Sequence, residues 1–411
     1  MRAVTLSIGS ELVAGLVLDA HAQRLARALG GRGVEVVRHE TLDDDVEAIA
    51  AAFTAAAREA DLVVATGGLG PTPDDLTRDG LALALGAALS ASPQAVRMLE
   101  AWADARGWAL SESNRRQAFL PQGAEALANP VGSAPGVLAR LGGAQIFCLP
   151  GVPSEMHRML DDHVLPRLHS GAEARVLCVR TVRTFGLPES VIGERLADVM
   201  APGRRPRVAT AATAGVIDVH IHASGPADEV GRLLDADAAE VKRRLGPAVF
   251  GEGADGMEEA VASLLAGCGA TLAVAESCTG GLIAARLVNV PGISNHLLEG
   301  VVAYSNAAKT RLLGVPAELV QRHGAVSEPV VRAMAEGVRA GAGADLGLAL
   351  TGIAGPGGGS SEKPVGTVWF ALADEAGTRT AREVFPGDRG TVRLRAALYA
   401  LNRLRLHLAN R

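Results

Sequence analysis

Lysine is almost missing from this chain: of its 40 basic residues only Lys242, Lys309 and Lys363 are lysines, and the rest are arginine. Arginine stays charged at any physiological pH, whereas a desolvated lysine can shed its proton. Each lysine therefore marks either a position where arginine will not serve or a chance survivor at the surface. Aromatics make up only 3% of residues, so packing must rest on Ala, Leu and Val. The four cysteines (Cys148, Cys178, Cys268 and Cys278) form no CxxC pair, which excludes a zinc signature and fits a reducing compartment. No apolar run is long enough to span a membrane. The nearest approach, Ala260 to Ala275, is broken by Ser263, Gly267, Gly269 and Thr271 and reads as helix, turn and strand. Ser7, Gly9, Ser10 and Glu11 interrupt the N-terminal apolar stretch, so a signal peptide is not expected and the location expected is cytoplasmic. The net charge of −5 carries no basic excess, which argues against nucleic acid or a membrane surface as partner.

At 411 residues, nearly half of them apolar, two or three domains are expected. Residues 1–90 alternate strand and helix: strands at Val4–Ile8, Val34–Arg38 and Asp61–Ala65, and helices at Asp19–Leu29 and Val46–Arg58. This rhythm predicts a parallel sheet with helices on both faces and ligands beyond the strands' carboxyl ends. The loops Gly9-Ser10-Glu11 and Gly67–Gly70 fall at such ends. The pattern breaks at residues 169–175, a small α+β module with a strand at Val216–His222 comes next, and a second linker is expected at Gly251-Glu252-Gly253. The last part reads as helix, strand, glycine loop and helix, then strands at Asp345–Leu350 and Val365–Leu372 and a closing helix from Gly390 to about Leu408.

In the last part, Thr271–Gly281 (TLAVAESCTGG) runs from a strand into a helix start, whose unpaired N–H groups suit an oxyanion or a phosphate. Two nucleophiles stand side by side. Chemistry alone favours Cys278, because a helix N-terminus lowers a thiol pKa, whereas Ser277 needs a base. Plain capping of the helix by Ser277 or Thr279 is the bland alternative. Further on, Gly300–Lys309 (GVVAYSNAAK) ends a strand at Tyr304, one of two tyrosines, with Lys309 five residues later. A phenol and an amine of this kind activate serine in Ser-Lys hydrolases. The glycine-rich Thr351–Gly359 after a buried strand reads as a ligand loop rather than a plain turn.

The strings AESCTGG, PGIS, VVAYSNAAK, GAVSEPVV, TGIAGPGGG, KPVGTVWFA and GDR, over roughly 255–405, resemble the C-terminal domain of the CinA competence-damage family, which also stands alone as the PncC-type nicotinamide mononucleotide deamidase. The resemblance implies Ser277 as nucleophile, Lys309 as general base and Tyr304 beside it. It places Ser294, Thr351 and Arg389 in the substrate pocket, with Gly352, Gly355, Thr279 and Gly280 on the substrate-binding side. Arg389 is the expected phosphate partner, and the N–H groups after Ser277 are the expected oxyanion hole. The implied reaction converts nicotinamide mononucleotide to nicotinic acid mononucleotide and ammonia without a cofactor.

In the first part, Thr66–Thr77 (TGGLGPTPDDLT) sets a glycine loop after a strand and two carboxylates before a helix. The loop suits a phosphate, and the carboxylates suit a bridging divalent cation such as Mg²⁺. Asp74 or Asp75 capping the helix, and an ordinary acidic first turn at Asp43-Asp44-Asp45, are the alternatives. The order GSEL, TGGLGPTPDD, NPVGSAPG and LPGVPSEM over roughly 3–168 resembles the molybdopterin-binding-like domain of CinA. That likeness implies metal-dependent hydrolysis of ADP-ribose, with Asp44, Asp75 and Asp74 as metal-linked carboxylates. Ser10, Glu11, Gly67, Gly68, Gly70, Thr72, Gly132 and Ser133 would hold the nucleotide and its phosphates. Holding a pterin or nucleotide without turnover is the alternative. In one departure, Asp19-Ala20-His21 stands where the family shows an asparagine two residues past an Asp or Asn. Residues around Thr184–Glu194 resemble CinA's KH-like module but lack a GXXG loop, so a spacer is expected there rather than an RNA grip.

The fold class expected is multi-domain α/β. A molybdopterin-binding-like parallel-sheet domain spans 1–168, a KH-like α+β linker 173–250 and an α/β amidase domain 255–411. The expected partners are small nucleotides and a second copy of the chain in a homodimer. A role in competence or DNA repair rests on the family name alone, and the acidic charge weighs against direct DNA contact.

Overall fold

The computed structural model describes residues 1–168 and 175–410. The break expected at 169–175 lies almost wholly outside the described residues. Contacts divide the chain into two compact units, one of Met1–Cys178 with His222–Leu233 and one of Val179–Ile221 with Leu234–Arg411. Among the described residues no helix is long and apolar enough to cross a membrane.

The first unit is built on a six-stranded sheet in the order 35–42, 2–8, 62–66, 144–149, 136–141, 125–127. Its first four strands are parallel, as the alternating pattern predicts. The last two run antiparallel. This departure from an all-parallel sheet has a local cause: Gly136–Leu141 and Ala144–Leu149 are separated by only Gly142-Gly143, and two residues can join antiparallel neighbours but never a parallel pair. The helix Val46–Glu59 packs on this sheet through Ile49, Ala52, Phe53 and Ala56.

The second unit holds a four-stranded sheet from the middle segment and a five-stranded sheet in the order 297–302, 272–276, 346–352, 367–374, 377–384. The expected linker at Gly251-Glu252-Gly253 is corrected here. Gly251 and Glu252 belong to the strand Val249–Glu252 and pair with Arg183 and Val182. The reason is packing: Phe185, Val216 and Phe250 join the core of the C-terminal sheet, and the Arg405 guanidinium donates to the Pro247 and Val249 carbonyls at 2.5 and 3.1 Å. The middle segment is thus fastened to the C-terminal sheet and its last helix rather than strung on a loose spacer.

The five-stranded sheet has two unlike faces. Along each central strand large and small residues alternate: Leu272 and Val274 against Ala273 and Ala275, Leu346, Leu348 and Leu350 against Gly347 and Ala349, Phe370 and Leu372 against Ala371 and Ala373. Side chains of a strand alternate between faces, so this sequence builds one bulky and one shallow surface. The bulky face carries the helices Met257–Cys268 and Arg389–Leu408. The shallow face lets the helix Glu328–Ala342 come so close that a Cβ on Gly347 would lie 2.2 Å from the Ala335 carbonyl oxygen. On that helix Gly337 plays the same part toward the helix Asn306–Leu313, since a Cβ there would lie 1.9 Å from the Leu313 carbonyl oxygen. Gly337→Ala should therefore destabilise the unit by about 1–3 kcal/mol, seen as a lower denaturant midpoint with an unchanged m-value.

Candidate active site

The strand Leu272–Glu276 ends in the middle of its sheet, and the chain turns sharply through Ser277–Gly281 into the helix Leu282–Leu287. Gly280 and Gly281 take φ of +66° and +92°, the left-handed region that admits glycine without strain. The helix N-terminus is not open to a ligand. The buried Glu276 carboxylate reaches over the turn and accepts from the N–H groups of Gly281, Ile283 and Ala284 at 3.1, 3.1 and 2.9 Å. The Gly280 N–H is taken by the Ser277 carbonyl and the Ser277 N–H donates to Leu350. Among the turn amides this leaves Cys278 and Thr279 as the donors with no acceptor within the described chain, so the expected oxyanion hole narrows to these two groups. From behind, Arg393 clamps the turn, donating to the Thr279 carbonyl from Nε and Nη2 at 3.2 and 2.7 Å.

Beside the turn, the parallel strand Leu297–Val302 leads through Ala303-Tyr304-Ser305 into the helix Asn306–Leu313, which Ser305 caps by accepting from the Ala308 N–H at 3.1 Å. Lys309 folds back from this helix and is 1% exposed. Its Nζ lies 3.0 Å from Ser277 Oγ, 2.9 Å from the Ala303 carbonyl oxygen and 3.3 Å from that of Tyr304. Among the described residues no carboxylate pairs with it. Burial holds the ammonium below its ordinary pKa, against a smaller opposing pull from the Cys278 thiol. The two nucleophiles of the motif face different surroundings. Ser277 opens on the cleft with Lys309 on its oxygen, while the Cys278 side chain is packed into the core and burial pushes its thiol up to about 12. Proximity to a helix start does not activate it, because Glu276 already occupies the positive end.

The cleft of about 260 Å³ over Ser277 is lined by Lys309, Tyr304, Thr351, Gly352, Gly355 and Arg389, and also by Asn306, Ala325 and Val326. Thr351 donates from Oγ1 to the Ala325 carbonyl at 3.0 Å, and Gly352 is sterically fixed as glycine by Val368, Thr367 and Cys278. The Tyr304 phenol does not reach Ser277 or Lys309. It accepts from Arg389 Nη2 at 2.7 Å, while Arg389 Nη1 donates to the Gly355 carbonyl at 2.7 Å. What Tyr304 gives the lysine is its main-chain carbonyl. Thr279 and Gly280 support the turn and are not part of the cleft wall, and Ser294 sits exposed on the Ile293–Asn295 turn, away from the cleft of its own chain. Glu276 and Arg393 went unnoticed as site residues. A carboxylate directly before the turn is a legible capping signal, but Arg393 lies 114 residues from its acceptor and leaves no local trace.

In the first unit a cleft of about 470 Å³ opens at the strand ends and takes in Glu11, Asp44, Gly67, Gly68, Gly70, Asp74, Asp75, Ser133 and His21. Its glycine loop is held from below, Thr77 Oγ1 donating to Gly67 and the buried Arg78 donating to Leu69 and Gly70. That leaves the Gly68 and Leu69 N–H groups without an acceptor in the described chain. Asp75 is a clasp of this loop: its oxygens accept from the Gly70 N–H, the Thr72 N–H and the Thr72 hydroxyl. Asp44 accepts from the Ser10 N–H and hydroxyl at 2.9 and 2.7 Å and keeps its second oxygen free, while Asp74 is exposed. Ser10, Thr72 and Gly132 stand outside the cleft wall, the Gly132 N–H being taken by Asn129 Oδ1 at 2.9 Å. No three acidic, histidine or cysteine side chains converge on one point among the described residues. Magnesium commonly needs fewer: one or two carboxylates with substrate phosphate and water complete its shell. The wall carries six carboxylates and no lysine or arginine; Asp44, with one oxygen not engaged by the described residues, and the exposed Asp74 could hold a cation.

Because the Cys278 thiol is buried, iodoacetamide at neutral pH should leave it unmodified in the native protein while the exposed Cys268 is alkylated, as read by peptide mass spectrometry.

Comparison with known proteins assigns all three segments. The chain matches the family models "CinA C-terminal domain" over 254–408, "Probable molybdopterin binding domain" over 4–170 and "Damage-inducible protein CinA KH domain" over 179–251. It is 47% identical over its full length to a CinA-like protein of Geobacter sp. (strain M21), covering 98% of that protein. A CinA-like protein of Gemmatimonas aurantiaca is 43% identical over 97% of the chain and 94% of its own length. Among solved structures, a competence-damaged protein (CinA) superfamily protein from Klebsiella pneumoniae 700603 is 39% identical over 38% of this chain and 100% of its own, with a TM-score of 0.37. The chain belongs to the CinA family, with a molybdopterin-binding-like domain, a KH domain and a CinA C-terminal domain in that order.

Proposed function

We propose that the C-terminal domain hydrolyses the carboxamide of nicotinamide mononucleotide, releasing ammonia and nicotinic acid mononucleotide. The observation that carries this reading is the set of partners around Lys309 Nζ. A neutral amine has two N–H donors and one lone pair. Two main-chain carbonyls stand ready for the donors, which turns the lone pair to Ser277 Oγ at 3.0 Å. Lys309 then takes the hydroxyl proton as Oγ attacks the carboxamide carbon. The oxyanion falls to the N–H of Cys278, the one of the two unclaimed turn amides whose residue borders the cleft. Collapse expels ammonia, which carries away the proton returned by Lys309. Water, deprotonated by the same amine, then releases the acid from Ser277. Arg389 has used two of its five N–H donors on Gly355 and Tyr304, and the remaining ones suit the nucleotide's phosphate.

For the N-terminal cleft we propose metal-dependent hydrolysis of ADP-ribose. Asp44 and Asp74 would hold the cation, which would supply charge neutralisation for a phosphate, while the Gly68 and Leu69 amides and the half-buried His21 meet the rest of the ligand. Burial keeps the His21 imidazole neutral more readily than usual, so it can accept or donate to a ribose hydroxyl. Holding a pterin or nucleotide without turnover is the second reading, favoured by the commitment of Asp75 to its own loop.

With purified protein, ammonia release from nicotinamide mononucleotide should persist in Cys278→Ala, vanish in Ser277→Ala and fall about 10²–10⁴-fold in Lys309→Met. Wild type that is folded yet silent would sink the assignment. Burial lowers the Lys309 pKa, so kcat/KM should rise with pH through an apparent pKa below the ordinary 10.5 of lysine and be lost on the acid side, where the amine is protonated. For the first cleft, AMP release from ADP-ribose should require Mg²⁺, stop with EDTA and fail in Asp44→Asn. Binding without turnover at saturating Mg²⁺ would establish the second reading.

A further inference from the structure

Of the three lysines, Lys309 serves the cleft and Lys242 pairs with Glu252, which leaves Lys363. It sits on the excursion between the strands Leu346–Gly352 and Thr367–Asp374. The base of this loop is closed by Ile353 donating to Thr367 and Gly366 donating to Ile353, at 2.9 and 2.7 Å. Residues 356–362 are exposed, yet Gly357 and Gly358 belong to the wall of the Ser277 cleft. Another part of that wall is Ala325 and Val326, which follow the helix Ala317–His323.

Lys363 joins the two. Its Nζ donates to the His323 carbonyl at 2.9 Å, the loop's only hydrogen bond to residues 323–327 among the described residues. His323 ends its helix, so its carbonyl has no acceptor role inside the helix, and a cation there also answers the helix dipole. The next two carbonyls are held as well. Gly324 accepts from Ser327 Oγ at 2.8 Å, and Ala325 accepts from Thr351 Oγ1 at 3.0 Å. Three successive carbonyls are thus drawn by side chains from the loop, the next helix start and the central strand.

The same geometry favours lysine over arginine. With its neighbours taken, His323 offers a single acceptor, and Nζ lies so near Gly324 that a Cβ there would be 3.6 Å away. A compact ammonium can serve one carbonyl, whereas a planar guanidinium uses its donors best on forked acceptors.

We infer that Lys363 is a positioning residue of the C-terminal cleft, a latch that holds the glycine loop to the 323–326 wall and so sets substrate affinity. The effect on affinity rests on the deamidase reading; the latch itself does not. The reacting groups are fastened elsewhere, Lys309 by the Ala303 and Tyr304 carbonyls and the nucleophile turn by Glu276 and Arg393. Freeing the loop therefore weakens binding and spares the chemical step, which is the kinetic pattern of lost uniform binding. Without Lys363 the loop still keeps Arg389 on the Gly355 carbonyl and Arg382 on the Glu362 carbonyl, at 2.7 and 2.9 Å, so it loosens without unfolding.

Lys363→Met in the full chain keeps the side-chain stem and removes the donor. KM for nicotinamide mononucleotide should rise roughly tenfold, with kcat within about twofold of wild type and its pH profile unmoved. An unchanged KM overturns the role in affinity, and so does a kcat that falls as much as KM rises, the mark of a disturbed reaction centre. By hydrogen–deuterium exchange, two amides should exchange several-fold faster in the variant: that of Gly324, bonded to Val320 at the helix end, and that of Ser360, bonded to the Lys363 carbonyl. Exchange equal to wild type at both overturns the latch. If wild type itself releases no ammonia, the deamidase reading fails while the exchange result still decides the latch.

Discussion

An amine taken out of water with no carboxylate among the described residues to answer it is the constraint around which the C-terminal domain is organised. Burying an ammonium without a counter-charge is costly, and the group responds by favouring its neutral form. The fold has to supply what a carboxylate otherwise would, and it does so with the carbonyls of Ala303 and Tyr304. Those carbonyls are available because they stand in the joint between a strand and a helix, where neither ladder claims them. The joint in turn lies beside the nucleophile turn because the strands 272–276 and 297–302 are parallel neighbours that end together. Gly337 closes the arrangement by letting the lysine's helix rest on the long helix behind it.

The nucleophile turn shows how a helix start can be assigned a structural duty and thereby be denied a catalytic one. Three of its amides hold Glu276, so its positive end is spent inside the protein. The same occupancy fixes the turn rigidly, with Arg393 gripping it from the opposite side. Two amides of the turn are left unclaimed, and that of Cys278 lies on the cleft, held in a turn whose neighbouring groups are all bonded. The glycine loop of the first unit repeats the logic with other residues. Arg78 and Thr77 draw its carbonyls down and Asp75 gathers its far end, so that two amides are left facing the cleft.

Ser277 is singled out by the family resemblance of its motif and Lys309 is flagged by the scarcity of lysine; what the sequence does not show is that the two meet at 3.0 Å. The strands are legible from alternation and the glycine loops from their position after buried strands. The reach of the Tyr304 phenol is not, since sequence distance says nothing about which way a side chain leaves a turn. Cys278 looks the better nucleophile only while its neighbours are unknown, for its inertness comes from core residues contributed by distant elements. The linker expected at 251–253 fails because glycine marks a possible turn, whereas pairing with Arg183 and Val182 is a tertiary fact. The antiparallel half of the first sheet is within reach, written in the two glycines that join its strands.

The strand order of the five-stranded sheet carries a kinetic consequence. Its central strand 346–352 must find 272–276 across some seventy residues of intervening chain, and the cleft is then finished by Arg389 from a helix later still. Contacts so distant in sequence form late, after the loops between them have closed. No early fragment of the domain therefore holds Ser277, Lys309, Thr351 and Arg389 together, and a nascent chain leaving the ribosome carries Ser277 without its complete cleft until its last helix docks.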